Sequence, residues 1–314
     1  MFREATEPER PDTARNMKDL TPQRRTDVAV VVVTYNALPW LEQSLESVAG
    51  YETIVVDHGS TDGTVDFVRE RFPAVRLVEQ DNRGLAAGWN RGIEETSGTY
   101  VLILNADAWP LGDAVEQLAA FGDAHPRGAV VGPRLRHPDG RLQPSVRGFP
   151  SPWRLATEYL FLRKLAPSSR ALNAFYAADF DHESVREAEF VMGAVMLARR
   201  NAIDEVGLLD EDFFLFSEET DWCYRFRQAG WQVLFTPDAE FAHVYGAAHA
   251  GRMLRENVRS NLRFIAKHQG LRAARRARWI LLAGCLLRVP RDHQYLRVAR
   301  WLAGGSIPEL LAAG

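Results

Sequence analysis

The sequence predicts an α/β fold with a mostly parallel, in part mixed, central sheet flanked by helices and followed by a C-terminal helical appendage. Three observations carry this. The run VAVVVVTYN at 28–36 is β-branched without polar alternation, which suits a strand buried on both faces beneath covering helices. Strand-like and helix-like stretches then alternate to about residue 125, a rhythm that implies right-handed crossovers between parallel strands. With 314 residues, 46% hydrophobic and 25% charged, the chain also has enough apolar surface for a substantial core.

The elements follow in order. Pro39 suits a first helical turn, and Leu41, Leu45 and Val48 recur at helical spacing. Strands are expected at 53–57, 75–79 and 99–104, and helices over 62–72, 84–96 and 112–123. Beyond Pro126 the rhythm changes. GAVVGPRL, GRLQPSVRG, EFVMGAVMLARR, WQVLFTP and AEFAHVYG read as strands broken by short helices, completing a mixed sheet in the same domain. The division is then a disordered tail over 1–25, a catalytic body over 26–250 and a basic helical region over 251–314. The tail is rich in Arg, Glu, Pro and Thr and lacks the apolar stretch of a secretory signal.

Cys223 and Cys285 stand far apart, outside any CxxC or Cys/His cluster, so neither a disulfide framework nor a zinc site is indicated. They read as reduced thiols in a cytoplasm. The net charge of −3 conceals an asymmetry: between Arg252 and Arg300 thirteen Arg or Lys face two acids. The most apolar piece of this region, WILLAGCLL at 279–287, is far short of the roughly 20 residues that span a bilayer. With Arg272, Arg275, Arg276, Arg278 and Arg288 around it, it fits either a basic amphipathic helix lying on an anionic membrane surface or a helix packed on the body. No nucleic-acid partner is expected.

In open parallel α/β sheets, ligands bind at the carboxyl ends of the strands. Four such ends here carry polar side chains: Thr34, Tyr35 and Asn36; Asp57; Asp81 and Asn82; and Asn105 and Asp107. Each alone has a structural explanation, as a turn residue or a helix cap. Together they point to a nucleotide. The segment after the first strand, TYNALPW, has no GxGxxG, which argues against a dinucleotide-dependent oxidoreductase. The Gly-rich opening and lysine of sugar-phosphate nucleotidyltransferases are also missing before Asn36.

Five ordered motifs, VVVVTYNALPWLEQSLESV, IVVDHGSTDGT, DNRGLAAGWNRGI, LILNADAWP and FSEETDWCYR, resemble those of the family 2 glycosyltransferases, in particular the bacterial rhamnosyltransferase-like branch. The resemblance covers about residues 28–245. It implies a nucleotide-binding fold of the GT-A type, a nucleoside-diphosphate sugar donor with rhamnose as a candidate, a divalent metal (Mg or Mn) and inversion at the anomeric carbon. The acceptor it implies is lipid-linked or a cell-envelope polysaccharide, handled at the inner face of the membrane. Asp57 would accept a hydrogen bond from the donor base, with the backbone near Thr34 and Tyr35 around the same base and Asn36 beside it. His58 stands where relatives commonly have Asn.

NADA corresponds to the family's metal motif, with Asp107 as the metal ligand and Asn105 touching either the donor ribose or a metal-bound water. SEETDW supplies the base. Glu219 aligns with the family's base, and Asp221 and Glu218 are alternatives. Asp221 has a structural reading too, as the partner of Arg225 one turn on, while Trp222 and Phe226 are expected to face the core. His243 resembles a further metal ligand or diphosphate contact, and His249 is a weaker candidate. The small residues Gly84, Ala86, Ala87 and Gly88 at a helix start would let donor phosphates approach backbone N–H groups, with Asn82, Arg83 and Asn90 toward the donor. A catalytically silent nucleotide- or glycan-binding protein is the alternative, favoured by Asn105 and Glu219 where relatives often carry Asp.

Overall fold

The computed structural model describes residues 24–166, 169–244 and 253–312. Its first half runs β1 (Val28–Thr34), α1 (Leu38–Ser47), β2 (Glu52–Asp57), α2 (Thr64–Arg71), β3 (Arg76–Glu79), α3 (Leu85–Glu94) and β4 (Tyr100–Asn105). These strands lie parallel in the order β3-β2-β1-β4. Register sets Thr34 beside Asp57 and Val33 beside Asn105, so the polar strand ends are level. β1 stops at Thr34, short of the expected strand end at residue 36, because Asn36 takes a left-handed φ of 53° that ends extended pairing.

The second half adds β5 (Ala108–Pro110), α4 (Ala114–Ala124), β6 (Gly128–Arg136), β7 (Leu142–Gln143), β8 (Val146–Arg147), α5 (Pro152–Tyr159) and α6 (Arg170–Asn173). Then come β9 (Arg186–Glu187), β10 (Phe190–Val191), β11 (Val195–Arg199), α7 (Arg200–Val206), α8 (Glu218–Gln228) and β12 (Gln232–His243). The main sheet continues from β4 through β11, β6, β12 and β5. It is mixed because β11 enters antiparallel between β4 and β6, whereas β12 lies parallel to β6.

Two expectations change here. WQVLFTP and AEFAHVYG are one strand, kinked where the register shifts between Thr236 and Glu240, the behaviour of a β-bulge. The three-residue β5 was not anticipated; its pairing with β12 sets Ala108 opposite His243.

Two apolar layers sandwich the sheet. Val28, Val30 and Val32 point to α1, α2 and α4, whereas Val31 points to α3, α7 and α8, the period-2 alternation of a strand covered on both faces. Gly92 lets α3 lie close on β1, since a Cβ there would overlap Val31. Trp222 and Phe226 are buried in the second layer, as their helical spacing predicts.

The C-terminal region comprises α9 (Leu254–Arg288), α10 (Gln294–Gly304) and α11 (Ile307–Ala312). α9 is two helical segments meeting at Gly270, whose φ of 84° lies outside the helical range. Val258, Leu262, Phe264, Leu281 and Cys285 of α9 form a third apolar cluster with Leu155 of α5 and Phe213. Both cysteines are free and buried, and burial pushes their thiols up, to about 12 for Cys223 and about 11 for Cys285. Arg24 and Arg25, assigned to the tail from sequence, are anchored on the body: Arg25 pairs with Asp27 and Asp123, and Arg24 with Glu116. His249 lies outside the described residues.

Candidate active site

Asp57, at the end of β2, is fully buried and holds its turn together. One oxygen accepts from the backbone N–H groups of Gly59 (3.0 Å) and Ser60 (2.8 Å). The other accepts from Thr34 Oγ1 (2.8 Å) and Ser60 Oγ (2.5 Å). The carboxylate is therefore engaged on both oxygens, and a donor base bonding to it would have to displace Ser60. Asn36 belongs to the same turn, accepting from the Thr61 N–H at 2.8 Å. Tyr35 stands exposed at its rim.

The glycine-rich third motif needs correction. A Cβ on Gly84, whose φ is 96°, would overlap the Phe214 carbonyl, so the close approach is to the 207–217 loop rather than to a phosphate. Gly88 makes room for the His58 ring, which is buried and 2.9 Å from Gln80 Nε2. Burial holds His58 below its ordinary pKa. Asn82 accepts from the Gly84 N–H at 3.1 Å, a turn contact.

Asn90 is also not aimed at a donor. Its amide clasps the same loop, donating to the Leu209 carbonyl (2.9 Å) and accepting from the Leu209 N–H (2.9 Å). Arg83 lies 3.5 Å from Glu211 in that loop. The third motif thus acts through packing.

Asp107 and His243 are brought together. β5 and the end of β12 set Asp107 Oδ1 3.4 Å from His243 Nε2, and the Val244 N–H bonds the Asp107 carbonyl. Gln143 Oε1, on β7, lies 2.8 Å from His243 Nδ1. An amide oxygen can only accept, so Nδ1 carries a proton and Nε2 turns toward the carboxylate. Two electron-pair donors facing each other suit a cation between them, and an imidazole oriented by a hydrogen-bonding neighbour is the usual form of a metal ligand. A carboxylate and an imidazole fit a divalent ion such as Mn. Among the described residues no group of three or more His, Cys, Asp or Glu side chains could hold a metal. Asn105, half-buried at the end of β4, bonds the Ala194 carbonyl through its N–H at 2.9 Å.

The three acids at the head of α8 have separate fates. Asp221 is fully buried and locked: Arg225 Nε reaches one oxygen at 2.8 Å, and Lys267 Nζ and His268 Nε2 both reach the other at 2.7 Å. Burial alone would raise its pKa, but these three partners outweigh it and pull the carboxyl down to about 2. So acidic a group, with both oxygens occupied, is a poor proton acceptor, and Asp221 is corrected from candidate base to structural anchor.

Glu218 is buried and held well above the ordinary carboxyl range, by burial first and then by the neighbouring Glu219 charge. Glu219 is raised to about 7 by burial, against the opposing pull of backbone amides at Glu219, Thr220, Gly193 and Ser217. Its Oε2 is buried with no hydrogen-bond partner. A carboxylate of this pKa, near neutral, suits proton abstraction at physiological pH.

The loop leading to α8 is strained: Phe216 and Ser217 take consecutive left-handed φ values of 66° and 65°, rare for residues with side chains. Sequence reasoning missed these two residues, Gln143, Gly193 and the Lys267–His268 pair. Gly193 sits against Glu219 and Trp89, next to the Ala194 that bonds Asn105, and so ties Glu219 to the end of β4. Only Gly193 had a local signal, an isolated glycine within a strand pattern.

The mixed sheet, with its polar strand ends level and helices on both faces, is a glycosyltransferase fold of the GT-A type. Solved structures of similar fold include the mannosyltransferase PcManGT from Pyrobaculum calidifontis with GDP-Man and Mn2+ (TM-score 0.54, 23% identity, 93% of this chain and 80% of that one). GalNAc-T7 with UDP, GalNAc and Mn2+ also matches (TM-score 0.54, 16% identity, 77% and 51%). The description Glycosyl transferase family 2 fits residues 29–206, and the chain belongs to that family. It is similar to the N-acetylglucosaminyl-diphospho-decaprenol L-rhamnosyltransferase of Mycobacterium tuberculosis, 32% identical over 287 residues, covering 84% of this chain and 92% of that one.

Proposed function

We propose that the protein transfers a sugar, rhamnose first among candidates, with inversion from a nucleoside-diphosphate donor to a hydroxyl of a lipid-linked saccharide in cell-envelope polysaccharide synthesis. The observation that carries this is Glu219, a base tuned to about 7 with one buried oxygen unpartnered. Likeness over nearly the whole length of the decaprenol-linked rhamnosyltransferase supports the choice of acceptor. Glu219 takes the proton of the acceptor hydroxyl as its oxygen bonds the anomeric carbon, while the bond from that carbon to the diphosphate breaks on the opposite face. Asp107 and His243 would hold a divalent ion, Mn or Mg, which when bound neutralises charge on the departing diphosphate. Gln143 keeps the His243 ring turned to that task.

The test is a donor panel including dTDP-rhamnose, with Mn or Mg and an N-acetylglucosaminyl diphosphate lipid, read as a lipid-linked disaccharide by mass. Asp107→Ala is expected to abolish product and to remove the Mn-dependent thermal stabilisation given by the nucleotide. Product from the variant at the wild-type rate would refute the metal assignment; no product from any donor would refute the function.

The place of action is the inner face of the cytoplasmic membrane, reached through α9. No helix among the described residues is long and apolar enough to cross a membrane. The segment of α9 after Gly270 buries Ala274, Ala277, Leu281 and Cys285 in the apolar cluster shared with α5, α10 and α11 and turns Arg272, Arg275, Arg276, Trp279, Leu286 and Leu287 outward. One face packs while the other presents cations and large apolar groups, the pattern of an interfacial helix, with each outward Arg contributing about 1 kcal/mol at an anionic surface. Arg278 and Arg288 do not join it, being spent on the carbonyls of Leu302 and of Glu158 and Tyr159. Vesicles containing anionic lipid are expected to sediment the wild type but not the Arg272, Arg275, Arg276→Glu variant. Equal sedimentation of both would sink this placement.

A further inference from the structure

A cavity of about 350 Å³ lies at the seam between the catalytic body and the C-terminal helices. Glu219, Phe216 and Ser217 line it from the catalytic body, and Asn257 and Asn261 of α9 and Tyr295 of α10 line it from the C-terminal helices. Arg147 on β8 lines it as well, its guanidinium 5.3 Å from the ring of Tyr176, itself a lining residue. None of Asp57, Asn105, Asp107 and His243 lines this space. The base therefore opens onto a compartment that the donor and metal candidates do not share.

The chemistry of the walls narrows the occupant. The volume is that of a small-molecule site. Aromatic faces cover the apolar C–H faces of a sugar ring, amides bond its hydroxyls, and a guanidinium pairs with phosphate oxygens. Glu219 lines the same space, so a ligand hydroxyl held there is brought to the side chain that would take its proton. Strain at Phe216 and Ser217 is concentrated where it sets Glu219 at this wall.

We propose that this cavity is the acceptor site, that it takes a sugar bearing a phosphate or diphosphate, and that Arg147 together with Asn257, Asn261 and Tyr295 of the C-terminal helices selects that acceptor. The inference rests on the transferase reading above. It adds that the C-terminal helices are part of the substrate site, and that anion recognition falls to Arg147.

The probe is N-acetylglucosaminyl diphosphate carrying a two-isoprene chain, with an uncharged alkyl N-acetylglucosaminide as comparison. The diphosphate probe is expected to stabilise the wild-type chain thermally. Asn257→Ala and Tyr295→Ala should each raise the acceptor KM by about tenfold or more, the loss of one or two good contacts, while stabilisation by donor nucleotide with Mn stays as in the wild type. Arg147→Gln should raise the KM for the diphosphate probe and leave that for the uncharged glycoside in place. The two Ala variants lie on different helices, so misfolding of one leaves the other to decide. An unmoved acceptor KM, parallel loss of donor and acceptor binding, or a wild type that hydrolyses donor yet is not stabilised by the probe would overturn the assignment. A wild type that neither hydrolyses nor transfers any donor sugar would instead overturn the transferase reading.

Discussion

Glu219→Gln is expected to lower kcat for sugar transfer by about 10²- to 10⁴-fold, the usual contribution of a positioned general base, with donor KM little changed. The amide has nearly the shape of the carboxyl but cannot take a proton. In the wild type, kcat/KM should fall as pH drops below about 7, because burial lifts the Glu219 carboxyl to that value and only its ionised form accepts a proton. In the variant that limb should vanish and leave a low, flat profile. The neighbouring Glu218 sharpens the test. Burial and the adjacent charge hold it protonated well above the ordinary range, so Glu218→Gln should retain the acidic limb. If Glu218→Gln removes the limb and Glu219→Gln does not, the base is misassigned.

The second large effect is on stability. Asp221→Ala removes the common partner of Arg225, Lys267 and His268 from a site where the carboxylate is fully buried. Breaking one side of such a cluster costs about 3–5 kcal/mol, and in a chain of this size that corresponds to a fall in Tm on the order of 10 °C. Linkage gives an independent check. The folded carboxyl sits at about 2, below its unfolded value of 3.8, so its contribution is fully present above about pH 4 and is lost as pH falls through 2. A depression of that size corresponds to about 2 kcal/mol. The wild type should lose stability through this window more steeply than Asp221→Asn. Equal Tm values for wild type and Asp221→Ala at pH 7 would contradict the anchoring role.

The backbone plan was legible where hydrophobic pattern alone decides it. The unbroken apolar run of β1 and the regular alternation through β4 announced a covered parallel sheet, and the polar residues closing those strands stand level as that topology requires. The pairing of Asp107 with His243 lay open only through the family resemblance, since 136 positions separate residues that meet when β12 folds back along β5.

What stayed hidden depends on partners remote in sequence. Asn90 looks like a polar residue at a phosphate-facing helix start, yet its partner Leu209 is 119 residues away. Gly84 has the local signature of a phosphate turn, but its missing side chain makes room for Phe214. Asp221 and Glu219 stand two places apart in one acidic run, and only the distant Lys267 and His268 make one an anchor while burial raises the pKa of the other. Left-handed Phe216 and Ser217 have no compositional sign, because nothing in an aromatic and a serine foretells φ values of 66° and 65°.

The Asp221 cluster bears on how such enzymes can be recombined. Cutting the chain after the last sheet strand would look like a clean boundary between modules, but it would strip Lys267 and His268 from a carboxylate sealed inside the remaining half. A chimera that imports a foreign tail is therefore expected to be more stable when it brings hydrogen-bond donors matching Lys267 and His268, or an uncharged residue in place of Asp221, than when it leaves this carboxylate without them.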